Sequence, residues 1–176
     1  AGLHFTHEID QQLKSKGIQI ADVVLHVGMG TFAPVKSESI ESHSMHPETF
    51  HIPKRTKTLV ESARIAGRPI VCVGTTTFRA LESYYTGQFH STKPDLVNQE
   101  DEIKVTKLFI RPRLNCENYT PKIATGIITN FHMPESTLLM LMASLVGYKK
   151  IFEAYNFAIR EKYRFFSYGD AGLFWL

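Results

Sequence analysis

The chain has 176 residues, 43% hydrophobic and 21% charged, with a formal net charge of +3. This length and balance fit one globular domain with a real core, and no apolar run is long enough to span a bilayer, so a helical membrane protein is excluded. Two cysteines do not make a disulfide scaffold, and with no secretory leader at the start a cytoplasmic location is expected.

Taken in chain order, Thr6 can cap a helix running to Lys16, closed by Gly17, with Ile9 and Leu13 turned to the core. Ile18 to Val27 reads as a β-branched strand ending at Gly28-Met29-Gly30, and Phe50 to Ile52 as a short strand. Pro53 opens a helix from Lys54 to Ala66 with Leu59, Val60 and Ala63 on one stripe. Pro69 to Val73 is a buried strand that turns through Gly74-Thr75-Thr76 into a helix ending near Tyr85. On that helix Arg79 and Glu82 are placed for a local ion pair.

A polar loop is expected over 85–102, a strand over Val105 to Ile110, a loop over Arg111 to Lys122 and a strand over Ile123 to Ile128. Two helices follow, Glu135 to Val146 with Pro134 in its first turn, and Lys149 to Lys162 with Tyr148, Phe152, Tyr155 and Ile159 in the core. The alternation predicts a single α/β domain over 1–176, a three-layer, mostly parallel sheet with helices on both faces.

The richest junction is Thr129-Asn130-Phe131-His132-Met133-Pro134-Glu135-Ser136-Thr137, where an apolar strand stops in a polar cluster before a helix. In α/β folds such strand ends carry ligand-binding groups, beside the free N–H groups of the new helix. A capped helix with one solvated His is the plainer alternative. Gly28-Met29-Gly30-Thr31-Phe32 is a turn that lets the backbone approach a ligand, though it lacks the third glycine of a dinucleotide fingerprint. The hydroxyls and N–H groups of Gly74-Thr75-Thr76 can hold a carboxylate, phosphate or ribose, or simply cap the helix. His43-x-Met45-His46-x-Glu48 could offer metal ligands, but Pro47 disfavours a helix there and no familiar ligand spacing completes a set, so no metal is expected. The embedded charges of Tyr163-Arg164-Phe165-Phe166-Ser167-Tyr168-Gly169-Asp170-Ala171 suit either a packed strand or recognition of a charged substrate. The clusters Lys54-Arg55-x-Lys57 and Arg111-x-Arg113 could meet phosphates or form solvated turns.

The stretch 129–138 resembles a signature of the S-adenosylmethionine:tRNA ribosyltransferase-isomerases of queuosine biosynthesis. Colinear matches are Gly2-Leu3-His4-Phe5-Thr6, Leu25 to Val35, His43 to Glu48, Gly74 to Thr76 and Glu161 to Ala171. The resemblance implies an enzyme that transfers and isomerises the ribosyl group of S-adenosylmethionine, a co-substrate, onto 7-aminomethyl-7-deazaguanine in tRNA. The product is epoxyqueuosine, with adenine and methionine released. It also implies that this chain corresponds to the C-terminal part of a longer two-domain enzyme whose β-barrel domain is not in this sequence; that this half alone is inactive is one of the alternatives left open.

That chemistry needs proton transfer, for which His26, His43, His46 and His132 are the candidates because imidazole titrates near neutral pH. Substrate contacts are expected from Gly28, Gly30, Thr31, Phe32, Gly74, Thr75 and Thr76, and from Thr129, Asn130, Ser136 and Thr137. Glu48 or Asp170 could neutralise the sulfonium or meet the methionine ammonium, and Arg164 its carboxylate, with Tyr168 beside them. The family pattern is broken in the longer loop over 111–119, and at Gly172, where a Met is expected. Rival readings are a metal-dependent hydrolase using the histidines and a non-catalytic nucleotide- or RNA-binding module.

Overall fold

The computed structural model describes residues 2–26, 28, 35, 39–92, 102–113 and 117–176. Helix α1 spans His7–Ser15, with the Ile9 N–H donating to the Thr6 hydroxyl at 3.4 Å. Ile9 is exposed and the helix buries no side chain, so the expected inward face does not pack. Strand β1 is only Val24–His26. It is shorter than the apolar run predicts because its partner β2, Glu48–His51, is itself four residues long and a ladder ends where its partner does.

Helix α2, Lys54–Ile65, follows Pro53 and buries Thr56, Val60 and Ala63. Strand β3, Val71–Val73, leads through Gly74 into α3, Thr75–Thr86. Strand β4, His90–Ser91, lies inside the expected loop, and β5 is Lys104–Thr106. Strand β6, Gly126–Asn130, is followed by α4, Thr137–Val146, α5, Tyr148–Arg160, and the last strand β7, Ala171–Trp175. Gly147, at φ 94°, ends α4 and opens α5, a backbone angle that a side chain would strain.

The chain is α/β as expected, with helices and mixed sheets, but the expectation of a mostly parallel sheet is corrected. The described residues form two sheets, β1-β2-β5-β4 and β3-β6-β7. Every pairing in the first is antiparallel, with Leu25 opposite Phe50 and Phe50 opposite Lys104. In the second, β3 and β6 are parallel and β6 and β7 antiparallel. The parallel pair is the one whose connection carries a helix, α3, as a crossover requires. In β2 and β5 burial alternates, the pattern of a half-covered antiparallel sheet rather than of strands buried on both faces.

The core is centred on Phe50, Phe78, Ile127, Met142 and Ile151, all fully buried. On α5 the buried stripe is Ile151, Tyr155 and Ala158. Of the four residues expected there only Tyr155 is inside; Tyr148, Phe152 and Ile159 are exposed. Apolar residues occupy two faces of this helix, and only one of them is buried. Arg79 and Glu82 do not pair. Both are buried on α3: Arg79 bonds Glu48 across to β2, while Glu82 accepts the Tyr119 hydroxyl at 2.7 Å and the Lys122 N–H at 2.9 Å. Gly172 leaves room for the Phe174 ring, which would lie 2.8 Å from an added Cβ. Among the described residues no helix is long and apolar enough to cross a membrane.

Candidate functional site

The C-terminal ends of β3 and β6 lie side by side. The Gly74 N–H donates to the Ile128 carbonyl at 2.8 Å, which places the Gly74-Thr75-Thr76 turn next to Thr129 and Asn130. Beyond β6 the chain stays irregular until Ser136, whose hydroxyl accepts the Leu139 N–H at 3.2 Å and donates to the Met133 carbonyl at 2.7 Å. Ser136 is therefore the cap of α4, and Pro134 stands ahead of the helix rather than in its first turn. Thr137, the first helical residue, is buried.

His132 is fixed at both ends. Its Nε2 lies 3.0 Å from the Thr129 hydroxyl, and its backbone N–H donates to the Tyr155 hydroxyl at 2.7 Å. Burial pushes the imidazole pKa down to about 4, so the ring is neutral at physiological pH. Phe131 is buried among Tyr155, Tyr163 and Phe165, which anchors the loop from below.

The segment 164–170 closes over this edge. Asp170 accepts the Arg164 backbone N–H at 2.7 Å and its guanidinium at 3.0 Å, and that guanidinium holds the carboxyl below its usual range. Arg164 and Asp170, expected to meet substrate separately, meet each other, and Tyr168 points outward at 88% exposure. The Phe166 N–H donates to the Phe131 carbonyl at 3.0 Å, tying the two loops together. A Cβ at Gly169 would sit 2.4 Å from the Arg164 carbonyl oxygen and 2.5 Å from that of Phe165, too close for any side chain. Gly169→Ala is expected to cost roughly 1–3 kcal/mol as an overpacking change; thermal melts check it, and a wild-type melt would refute the crowding.

Residue His4 was not among the sequence-derived candidates, yet its ring reaches this edge. His4 Nε2 donates to the Gly169 carbonyl at 2.7 Å, and Asn130 Nδ2 donates to the same oxygen at 3.2 Å. The segments 2–6, 129–138 and 163–171 thus meet at one place. Val35 joins from the loop after β1, its N–H donating to the Glu135 carbonyl at 3.0 Å. Gly28 is exposed; Gly30, Thr31 and Phe32 lie outside the described residues.

The other histidines are not in this hydrogen-bonded cluster. His26 and His46 are exposed on or before the antiparallel sheet, and His43 packs its ring edge-on to Phe109 at 5.3 Å. Glu48 is buried and pairs with Arg79. Arg79, Met45, Phe109, Thr137 and Leu138 line a small cavity, which brings the His43–Glu48 segment against the start of α4. Among the described residues no three His, Cys, Asp or Glu side chains are grouped to hold a metal.

Residues 1–174 match the queuosine biosynthesis protein family. The chain belongs to that family. It is 49% identical over 173 residues to the S-adenosylmethionine:tRNA ribosyltransferase-isomerase of Treponema denticola, covering 98% of this chain and 46% of the relative. The protein of the same name from Herminiimonas arsenicoxydans is 48% identical over 172 residues, covering 97% and 46%. The crystal structure of S-adenosylmethionine tRNA ribosyltransferase from Thermotoga maritima superposes with a TM-score of 0.73 at 40% identity, covering 98% of this chain and 50% of that one. This queuosine biosynthesis family member spans about half the length of the curated relatives it matches.

Proposed function

We propose that the protein acts as an S-adenosylmethionine:tRNA ribosyltransferase-isomerase, with the C-terminal edge of β3 and β6 as part of its active site. The supporting observation is the meeting of segments 2–6, 129–138 and 163–171 at that edge, in a chain of this family. The substrates are S-adenosylmethionine and tRNA carrying 7-aminomethyl-7-deazaguanine. The ribosyl group is transferred and rearranged to epoxyqueuosine, and adenine and methionine leave.

The positive sulfur acidifies the adjacent carbon, so a neutral imidazole can take a proton there, and hydrogen-bond donors can stabilise charge on the departing adenine. The edge offers the imidazoles of His4 and His132, the latter kept neutral by burial, hydroxyls in Thr129 and Thr76, and the Asn130 amide. A cytoplasmic location fits a tRNA substrate. The proposed chemistry uses no metal; one tightly bound zinc per chain with chelator-sensitive turnover would favour the hydrolase alternative. Full-length protein incubated with substrate tRNA and S-adenosylmethionine is expected to release adenine and methionine in equal amounts with modified nucleoside. S-adenosylhomocysteine with methylated tRNA would overturn the assignment.

A further inference from the structure

We propose that His4 accepts the proton removed from the carbon beside the sulfonium, through Nδ1, while Nε2 anchors the ring to the Gly169 carbonyl. This rests on the ribosyl-transfer reading and names the base within it.

Hydrogen-bond polarity carries the assignment. A backbone carbonyl only accepts, so the 2.7 Å contact from Nε2 to Gly169 O requires a proton on Nε2. In the singly protonated tautomer this leaves the lone pair on Nδ1. Asn130 Nδ2 lies 3.4 Å from His4 Nε2, but two N–H donors do not bond each other. The amide instead donates to the carbonyls of Gly169 at 3.2 Å and Asp170 at 3.4 Å. Asn130 therefore fixes the carbonyl that fixes the imidazole, the arrangement by which a base is held in one tautomer.

His4 is joined to residues far along the chain rather than to its own neighbourhood, and it is half-buried rather than free in solvent. The charged groups of the segment packed against it are Asp170, close enough to feel the ring's charge, and Arg164, which Asp170 holds. A proton arriving at Nδ1 makes an imidazolium that still donates Nε2–H to Gly169 and faces the Asp170 carboxylate. The C–H bond breaks, its electron pair stays on carbon next to the positive sulfur, and the proton ends on Nδ1. His132 is the poorer acceptor: its Nε2 is engaged by Thr129, and burial already opposes its cationic form.

The test uses full-length protein with substrate tRNA and S-adenosylmethionine deuterated at the carbon beside sulfur. His4→Gln keeps an N–H donor in the place of Nε2 and removes the base. It is expected to lower kcat by about two to four orders of magnitude, to leave Tm nearly unchanged, and to stop exchange of deuterium with solvent. Turnover and exchange within a few-fold of wild type in His4→Gln would overturn the assignment. Should His4→Gln not fold, His4→Gly with added imidazole decides: rescued turnover supports the proposal, and no rescue in a folded variant refutes it. Wild-type protein releasing no adenine would instead remove the ribosyl-transfer reading, and the assignment with it.

Discussion

Replacing Arg79 with Met is expected to destabilise the protein by about 3–5 kcal/mol, the range for stripping one partner from a buried ion pair. Arg79 and Glu48 are both almost fully buried and bond each other between α3 and β2. Removing the guanidinium takes its ion-pair partner from a buried carboxylate. The native pair is itself imperfect. Arg79 Nε is buried without a hydrogen-bond partner, and burial pulls the Arg79 pKa down despite the opposing charge of Glu48. For that reason the double variant Glu48→Met with Arg79→Met should recover most of the loss, as apolar replacements of buried pairs often do. Urea denaturation of the wild type, both singles and the double measures the cycle. A single-variant loss below about 1 kcal/mol, the scale of exposed pairs, would contradict the buried geometry.

His132→Gln should change two things separately. The first is the pH dependence of stability. The folded-state pKa of about 4 lies below the ordinary value of 6.5, so the folded form favours the neutral ring. Above pH 6.5 the ring is neutral in both states and its contribution is fully present. Between 6.5 and about 4 the unfolded chain takes up a proton that the native state refuses, and stability falls as pH falls. Below about 4 both forms are protonated and the loss is complete, on the order of 3 kcal/mol from this group.

The glutamine variant has no such proton to bind, so its stability should fall less across that window in denaturation at stepped pH. The second change is turnover. If the neutral His132 supplies a hydrogen bond to reacting atoms, its loss should cost roughly two to three orders of magnitude in kcat. Because the bond to Tyr155 comes from the backbone N–H, the loop should hold, and the melt at pH 7 should shift little. Wild-type kcat would remove His132 from the chemistry and leave it a packing residue.

Helices were legible because their ends carry local chemistry. Thr6, Pro53, Gly67 and Gly87 all stand at or beside observed boundaries. Sheet topology was not legible, since nothing in Val24–His26 or Lys104–Thr106 states which strand lies alongside or in which direction. On α5 the reason is similar: two apolar stripes fit the helical period, and only the tertiary surroundings, such as Phe131 and Phe165 against Tyr155, select the buried one. At the site, Thr129 and His132 are three residues apart and could be read as a unit. His4 and Gly169 are separated by 165 positions, and Glu48 and Arg79 by 31. Their pairing is a tertiary fact, and so the ion pair Arg79 forms, and the role proposed for His4, depend on the fold.

Under the proposed function, the ribosyl carbons of S-adenosylmethionine, not its methyl group, end up on tRNA. Two parallel incubations of full-length protein with substrate tRNA test it most directly, one with S-adenosylmethionine labelled in the ribose and one labelled in the methyl group. Ribose label in the digested nucleoside, with the methyl label recovered wholly as methionine, is the expected result. Methyl label in the tRNA, or neither label there, would contradict it.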